Sequence, residues 1–147
     1  MKPLVSSKKK KILNQLQSRF GITNLPYLLL QFGKEKIRAY SGNLSKEELY
    51  TLDNNLRIET IGLYFANEQE EGVRLTIDGV QLLKNQIGKN IISLSYDSMI
   101  QWFRGNDLDI KHEKGFVILS YGNELIGCGK STGLKISNYV PKERRIK

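Results

Sequence analysis

The sequence predicts an α+β fold built as two packed units, an α+β domain over residues 1–88 and a strand-dominated domain over residues 89–147. Three observations carry this. Helix-period and strand-period stretches alternate through the first 88 residues. From Gly115 onward, "GFVILSYG", "ELIGCG" and "GLKISNYV" are short strand patterns separated by glycine-containing turns, which suits a small, curled β-structure. No low-complexity linker separates the two halves, so they are expected to pack together rather than to hang on a tether.

The elements follow in order. "KKKKILNQLQSRFG" (Lys8–Gly21) predicts a helix, with Ser6 and Ser7 as caps, Gly21 as the stop, and Ile12, Leu13, Leu16 and Phe20 on one face. Its lysine run sits at the end that the helix dipole disfavours for cations; a frayed basic arm is the other reading. "YLLLQFG" and "KIRAYSG" predict two strands turning at Gly33-Lys34-Glu35. "NLSKEELYTLDNNL" predicts a short helix with apolar Leu49 and Leu52, opened by a capping box, Ser45 with Glu48 three residues on. "RIETIGLYFAN" (Arg57–Asn67) and "VRLTI" predict strands around an "EQEEG" turn, and "DGVQLLKNQI" a helix capped by Asp78. In the second half Ile91, Ile92 and Leu94 predict a short strand. "YDSMIQWFRG" predicts a helix ending at Gly105, with Met99, Ile100 and Phe103 at core spacing.

Composition narrows the function. The 147 residues are 39% hydrophobic and 26% charged, as in an ordinary globular protein. No apolar run approaches the roughly 18 residues of a membrane span, and no signal-like apolar stretch follows the basic N-terminus. The expected setting is cytoplasmic. The single cysteine, Cys128, excludes an internal disulfide and a Cys-based zinc site. Net charge is +8, and it is unevenly spread. Residues 1–40 hold nine Lys/Arg against Glu35 alone, residues 128–147 hold six against Glu143 alone, and the middle is net acidic. Two basic ends brought together would form the footprint of a polyanion binder.

"ELIGCGKSTG" (Glu124–Gly133) ends like a phosphate-binding P-loop. The first glycine of that motif would fall at Glu124, whose charge repels phosphate, and a strand pattern follows where a helix is needed. Gly127 and Gly129 alternate, so they share one face of a strand and permit tight curvature or a close backbone approach. Cys128 between them reads as a small core residue. His112 reads as part of an exposed turn, Asp107 and Asp109 as a solvated loop, and Glu47-Glu48 and "EQEE" as surface. None points to catalysis or to a metal site, and no cofactor is implied.

The run "WFRGNDL" followed by "GFVILSYGNELIGCGKSTGLKISNYVPKERR" resembles a PUA domain, the small pseudo-barrel RNA-binding module. It is most similar to the variant that ends the Sun-family (RsmF-type) RNA cytosine-5 methyltransferases. The resemblance rests on an aromatic-x-Arg-Gly-x-Asp pattern at Trp102–Asp107 and on Gly115-Phe116-Val117. It rests also on Gly-x-Gly-Lys at 127–130, and on Asn138, Tyr139, Pro141, Lys142 and Arg145. "KIRAYSGNLSKEEL" and "RIETIGLYF" also resemble the small domain before PUA in standalone archaeal-type proteins, and richness in Lys, Ile and Asn is compatible with such a source. The Rossmann-like domain and reactive cysteines that Sun-family catalysis needs have no counterpart here, so no enzyme is expected.

The resemblance and the charge together imply a non-catalytic protein that binds structured RNA, ribosomal RNA ahead of tRNA, in ribosome assembly or on the ribosome. The alternative is a targeting subunit for a separate methyltransferase or pseudouridine synthase. Candidate RNA-binding residues are Lys36, Arg38, Arg104, Lys130, Lys135, Asn138, Tyr139, Lys142, Arg144 and Arg145. Lys8–Lys11 and Lys34 would extend their footprint. Arg suits bidentate phosphate contact and Lys a mobile one. Two readings of Tyr139 stand, a stacking platform or a core residue. Arg104 either reaches solvent or braces the Gly105 turn, and the tail either grips phosphate or is a solubilising end. Trp102 is expected to anchor its helix to the barrel. Five or six neutralised phosphates would give a log–log salt slope of about −4 to −5.

Overall fold

The computed structural model describes residues 2–42, 45–49, 51 and 62–147. The predicted strand start at Arg57–Ile61 and the helix end at residues 52–56 lie outside them. The fold is α+β, with a PUA-like pseudo-barrel in its C-terminal half. Strands β1 (Lys2–Pro3), β2 (Leu28–Phe32), β3 (Lys36–Tyr40), β4 (Leu63–Gln69) and β5 (Gly72–Leu75) form an antiparallel sheet in that order. Strands β6 (Ile91–Ser93), β7 (Gly115–Tyr121), β8 (Glu124–Ser131) and β9 (Ile136–Ser137) form a second sheet, in which β6 and β7 are parallel.

Helix α1 (Ser6–Phe20) buries Ile12, Leu16 and Phe20 against the first sheet. It begins two residues earlier than Lys8, so Ser6 and Ser7 lie inside its first turn. The capping position is Val5, which offers no side-chain acceptor. Gly21 ends the helix at φ 85°, a left-handed conformation that glycine reaches without strain. The capping box is formed in both directions: Ser45 Oγ accepts from the Glu48 N–H at 3.1 Å, and Glu48 Oε1 from the Ser45 N–H at 3.3 Å. Helix α2 (Ile77–Leu83) is capped by Thr76, whose hydroxyl accepts from the Gly79 N–H at 2.9 Å. Asp78, the expected cap, sits two residues too late and occupies the first turn instead. Helix α3 (Tyr96–Phe103) is capped by Ser95, and its fully buried residue is Trp102. The expected "GLKISNYV" strand is shorter than its pattern, because β9 covers only Ile136–Ser137.

The core crosses the boundary between the halves. The first hydrophobic cluster joins α1 and the first sheet to Phe116, Ile118 and Cys128, while Val117 and Leu119 face a second cluster with Trp102, Leu108, Ile136 and Val140. Strand β7 is therefore buried on both faces, which is why its sequence is a continuous apolar run. Polar groups stitch the same joint. Arg19 Nε donates to the Phe116 carbonyl, and Asn90 Nδ2 donates to the Arg19 carbonyl at 2.6 Å. His112 is half-buried rather than exposed: its ring meets Asn90 Oδ1 at 3.3 Å, and its carbonyl accepts from Ser131 Oγ at 2.8 Å.

Candidate nucleic-acid interface

Register decides which charged residues of the first sheet share a face. Ile37, Ala66 and Leu75 pair across β3, β4 and β5 and are all buried on the side that α1 covers. The neighbouring row, Lys36–Asn67–Arg74, pairs across the same strands one residue out of phase and so lies on the other face. Phe32 pairs with Lys36 and extends that row into β2. Phe32, Lys36, Arg38 and Asn67 line an open groove of about 550 Å³. Lys36 Nζ lies 5.5 Å over the Tyr64 ring, and the Arg38 guanidinium 5.4 Å over Phe32. A basic, aromatic-backed surface results.

This surface runs on into the C-terminal half. Arg74 lies 4.5 Å over the ring of Tyr139, which in turn packs against Phe116. Asn67 Nδ2 donates to Tyr64 Oη at 3.2 Å, and Tyr64 lines a second crevice, of about 370 Å³, together with Arg74, Trp102, Tyr139 and Arg144. Groove and crevice are thus adjacent across the Tyr64–Asn67 contact. Arg74 links them and was missing from the sequence candidates. The alternation of Val73 and Leu75 turns it outward, but only the β4–β5 register shows what it joins.

The predicted residues divide by position. Lys36, Arg38, Tyr139 and Arg144 line the groove or the crevice, and half-buried Tyr139 both packs on Phe116 and presents itself to Arg74. Lys142 and Arg144 lie in a short 3-10 turn, both exposed. Arg144 Nη1 meets Asp78 Oδ1 at 3.3 Å, a contact that leaves both groups about half exposed. Lys130, within strand β8, is held by Glu71 at 2.7 Å. That partnership depresses the Glu71 carboxyl below its ordinary pKa and raises the Lys130 ammonium above its own. Lys135 pairs with Asp107 at 3.3 Å.

Two candidates work on the fold itself. The Asn138 amide donates to the Trp102 and Asn106 carbonyls at 2.7 and 2.9 Å, and its oxygen accepts from the Val140 N–H at 2.8 Å. Its capacity goes into tying the α3 end to the C-terminal segment. Arg145 Nε donates to the Val140 carbonyl at 3.0 Å and lies against Gly105. Arg145 thus braces the Gly105 turn, while Arg104 is exposed. The α1 lysines stand on the other side of the sheet. Lys8 is paired with Glu68 at 3.2 Å, and Lys9 donates to the Tyr27 carbonyl at 2.6 Å.

The Gly127–Ser131 stretch is the C-terminal part of strand β8, and its glycines accommodate an indole. A Cβ on Gly129 would stand 2.8 Å from Trp102 Cη2 and 2.6 Å from Ile136 Cγ2; one on Gly127 would stand 3.2 Å from Trp102 Nε1. Cys128 points the other way, into the first cluster, and burial pushes its thiol pKa up to about 12. A neutral thiol at physiological pH is a poor nucleophile. Among the described residues no group of three His, Cys, Asp or Glu can hold a metal ion, and no helix is long and apolar enough to cross a membrane.

Comparison with known proteins agrees with this architecture. Residues 89–146 match the methyltransferase RsmF PUA domain. "Ribosomal RNA small subunit methyltransferase F" of Psychromonas ingrahamii is 29% identical over 143 residues, covering 92% of this chain and 28% of the relative. The proteins of that name from Photobacterium profundum and Vibrio cholerae are 29% and 28% identical over 90% and 68% of the chain. These relatives are bacterial, and the longer matches take in the upstream half as well as the PUA part. The chain spans about a quarter of the length of the relatives it matches, 28%, 27% and 22% in these three. The chain therefore carries a PUA domain that resembles the C-terminal region of the RsmF methyltransferases.

Proposed function

We propose that this chain binds structured RNA without catalysing a reaction on it, and that ribosomal RNA is its target. The single observation that carries the reading is the strip from Phe32 and Lys36 across the buried Asn67 to Arg74, Tyr139 and Arg144. Cations backed by aromatic rings contact phosphate and unpaired bases together, and a surface of this kind reads RNA shape rather than a strict sequence code. The strip lies in a chain whose relatives are named ribosomal RNA methyltransferases, which favours rRNA over tRNA. A cytoplasmic setting, on or near the ribosome or its precursors, follows from that target. Lys36, Arg38, Arg74, Tyr139, Lys142 and Arg144 are the contact residues in this reading, and Asn138 and Arg145 shape the platform.

Affinity for a labelled small-subunit rRNA fragment, measured by anisotropy against salt, tests it. Each phosphate neutralised, with release of its counterion, contributes about −0.7 to −0.9 to the log–log slope. Four to six contacts predict about −3 to −5, and the double variant Lys36→Glu/Arg74→Glu should lose at least about tenfold in affinity. A slope near zero, or a double variant that binds as the parent does, contradicts the proposal.

A second reading has its own support, because the chain matches about a quarter of relatives named as methyltransferases. Here it docks RNA onto a separate methyltransferase. Purification from RNase-treated extract separates the two readings. A methyltransferase that stays bound favours docking, and loss of every partner favours direct RNA association.

A further inference from the structure

The crevice of about 370 Å³ between the halves contains a buried donor that the fold does not use. Trp102 is 1% exposed, and its Nε1 has no hydrogen-bond partner among the described residues. The ring's orientation follows from the strand beneath it. The Nε1 edge stands over Gly127, which lines the crevice, and the Cη2 end over Gly129, which does not. The N–H edge is therefore the part of the indole nearest the crevice lining. Arg74 Nε, in the same crevice, is likewise buried and unpartnered among the described residues. Indole and guanidinium donate and never accept. A buried donor left unpaired is costly, so the crevice is matched to a group that brings acceptors.

Its walls specify the shape of that group. Tyr139 with Arg74 stacked on it forms a flat aromatic and guanidinium side. Asp78, held by Arg144, and Glu143 place carboxylate acceptors at the rim. A planar group with ring carbonyls or ring nitrogens to accept, and N–H to donate, fits all of these. The volume lies in the range that takes one small planar ligand.

We propose that this crevice receives one unpaired nucleobase, turned out of an RNA strand, stacked on the Arg74–Tyr139 wall and accepting from Trp102 Nε1. RNA is favoured over a peptide side chain because the crevice opens beside the Lys36–Arg38 groove, where flanking phosphates would lie. The inference rests on the RNA-binding reading and deepens it.

Trp102 is the chain's sole tryptophan, so its emission reports the crevice directly. The full chain is titrated with a uridine pentanucleotide and, separately, with a blunt RNA duplex of equal phosphate number, following both emission and anisotropy. The pentanucleotide is expected to bind and change Trp102 emission, and the duplex to bind and leave it unchanged. Tyr139→Ala should weaken the pentanucleotide about 5- to 100-fold, as loss of one base stack does, and the duplex several-fold less than that. Trp102→Phe keeps a ring and removes the donor, and should cost about 3- to 10-fold on the pentanucleotide. Arg74→Gln gives the same test at the crevice's other unpartnered donor should the tryptophan variant fold poorly by circular dichroism. If both RNAs bind and the indole stays silent, or if Tyr139→Ala weakens both equally, the nucleobase pocket is wrong while RNA binding stands. If neither RNA binds, both readings fall.

Discussion

Adding one methyl group to Gly129 tests the reading of the "GCGK" segment. The new Cβ would sit 2.6 Å from Ile136 Cγ2, 2.8 Å from Trp102 Cη2 and 3.1 Å from the Ser137 carbonyl oxygen. Trp102 and Ile136 are 1% and 0% exposed, so neither has room to move away. Forcing a methyl into a packed core costs about 1–3 kcal/mol, and three contacts this short place Gly129→Ala in the upper part of that range. Lower unfolded-state entropy returns about 0.4–1 kcal/mol. The net loss is about 2 kcal/mol, which for a chain of this size lowers Tm by about 4–8 °C. Gly127→Ala meets only one tight contact, at 3.2 Å, and should stay within about 1 kcal/mol of the parent. Thermal unfolding followed by circular dichroism and Trp102 emission reads both variants. A Gly129→Ala protein melting with the parent, or a reversed order of the two, would refute the indole-seat account. A phosphate cradle would behave differently, since alanine would then harm nucleotide binding and leave stability almost unchanged.

Other outcomes follow from neighbouring contacts. Cys128 has its folded pKa raised from 9.0 to about 12; the unfolded chain releases that proton first, so its contribution to stability is full below about pH 9 and fades as pH rises toward 12. The Cys128→Ala variant should therefore show a flatter loss of stability between pH 9 and 10 than the parent by about 1 kcal/mol, measured by urea unfolding. Glu71→Gln frees Lys130 from its partner 2.7 Å away to join the contact residues, and should raise RNA affinity and steepen the salt slope by about 0.7–0.9; an unchanged slope would show that the freed Lys130 reaches no phosphate. Asn138→Ala breaks three hydrogen bonds between the α3 end and the C-terminal segment, and should cost about 2–3 kcal/mol without altering the salt slope of the protein that remains folded. A changed slope would make Asn138 an RNA contact after all.

Much of the second half was legible because its signals are local. Strand alternation, glycine turns and the Trp102–Asp107 pattern lie within a few residues of one another, and the PUA resemblance uses just those stretches. The Ser45–Glu48 capping box was legible for the same reason. The misplaced α2 cap shows the resolution limit of such reading. Thr76 and Asp78 are both good capping types, and only the bond to the Gly79 N–H distinguishes them. Arg74 marks a deeper limit. Its importance comes from pairing with Asn67, and Asn67's with Lys36, three residues spread over 38 positions of chain. The α1 lysines illustrate the converse. They form the longest run of like charge in the sequence, yet the sheet stands between them and Arg74, and Lys8 already has Glu68 as its counter-ion. Asn138 was identified through a motif, and a motif position does not reveal whether an amide faces a ligand or its own backbone. The division into domains at residues 88 and 89 remains our proposal, and the first core cluster draws on both sides of it.

The most direct test of the central claim is a map of amide chemical-shift changes as an rRNA fragment is added to the isotopically labelled chain. The account predicts that the largest changes gather at Lys36, Arg38, Asn67, Arg74, Tyr139 and Arg144, with the α1 lysines little affected. Changes centred on Lys8–Lys11, or scattered over both faces of the first sheet, would contradict it.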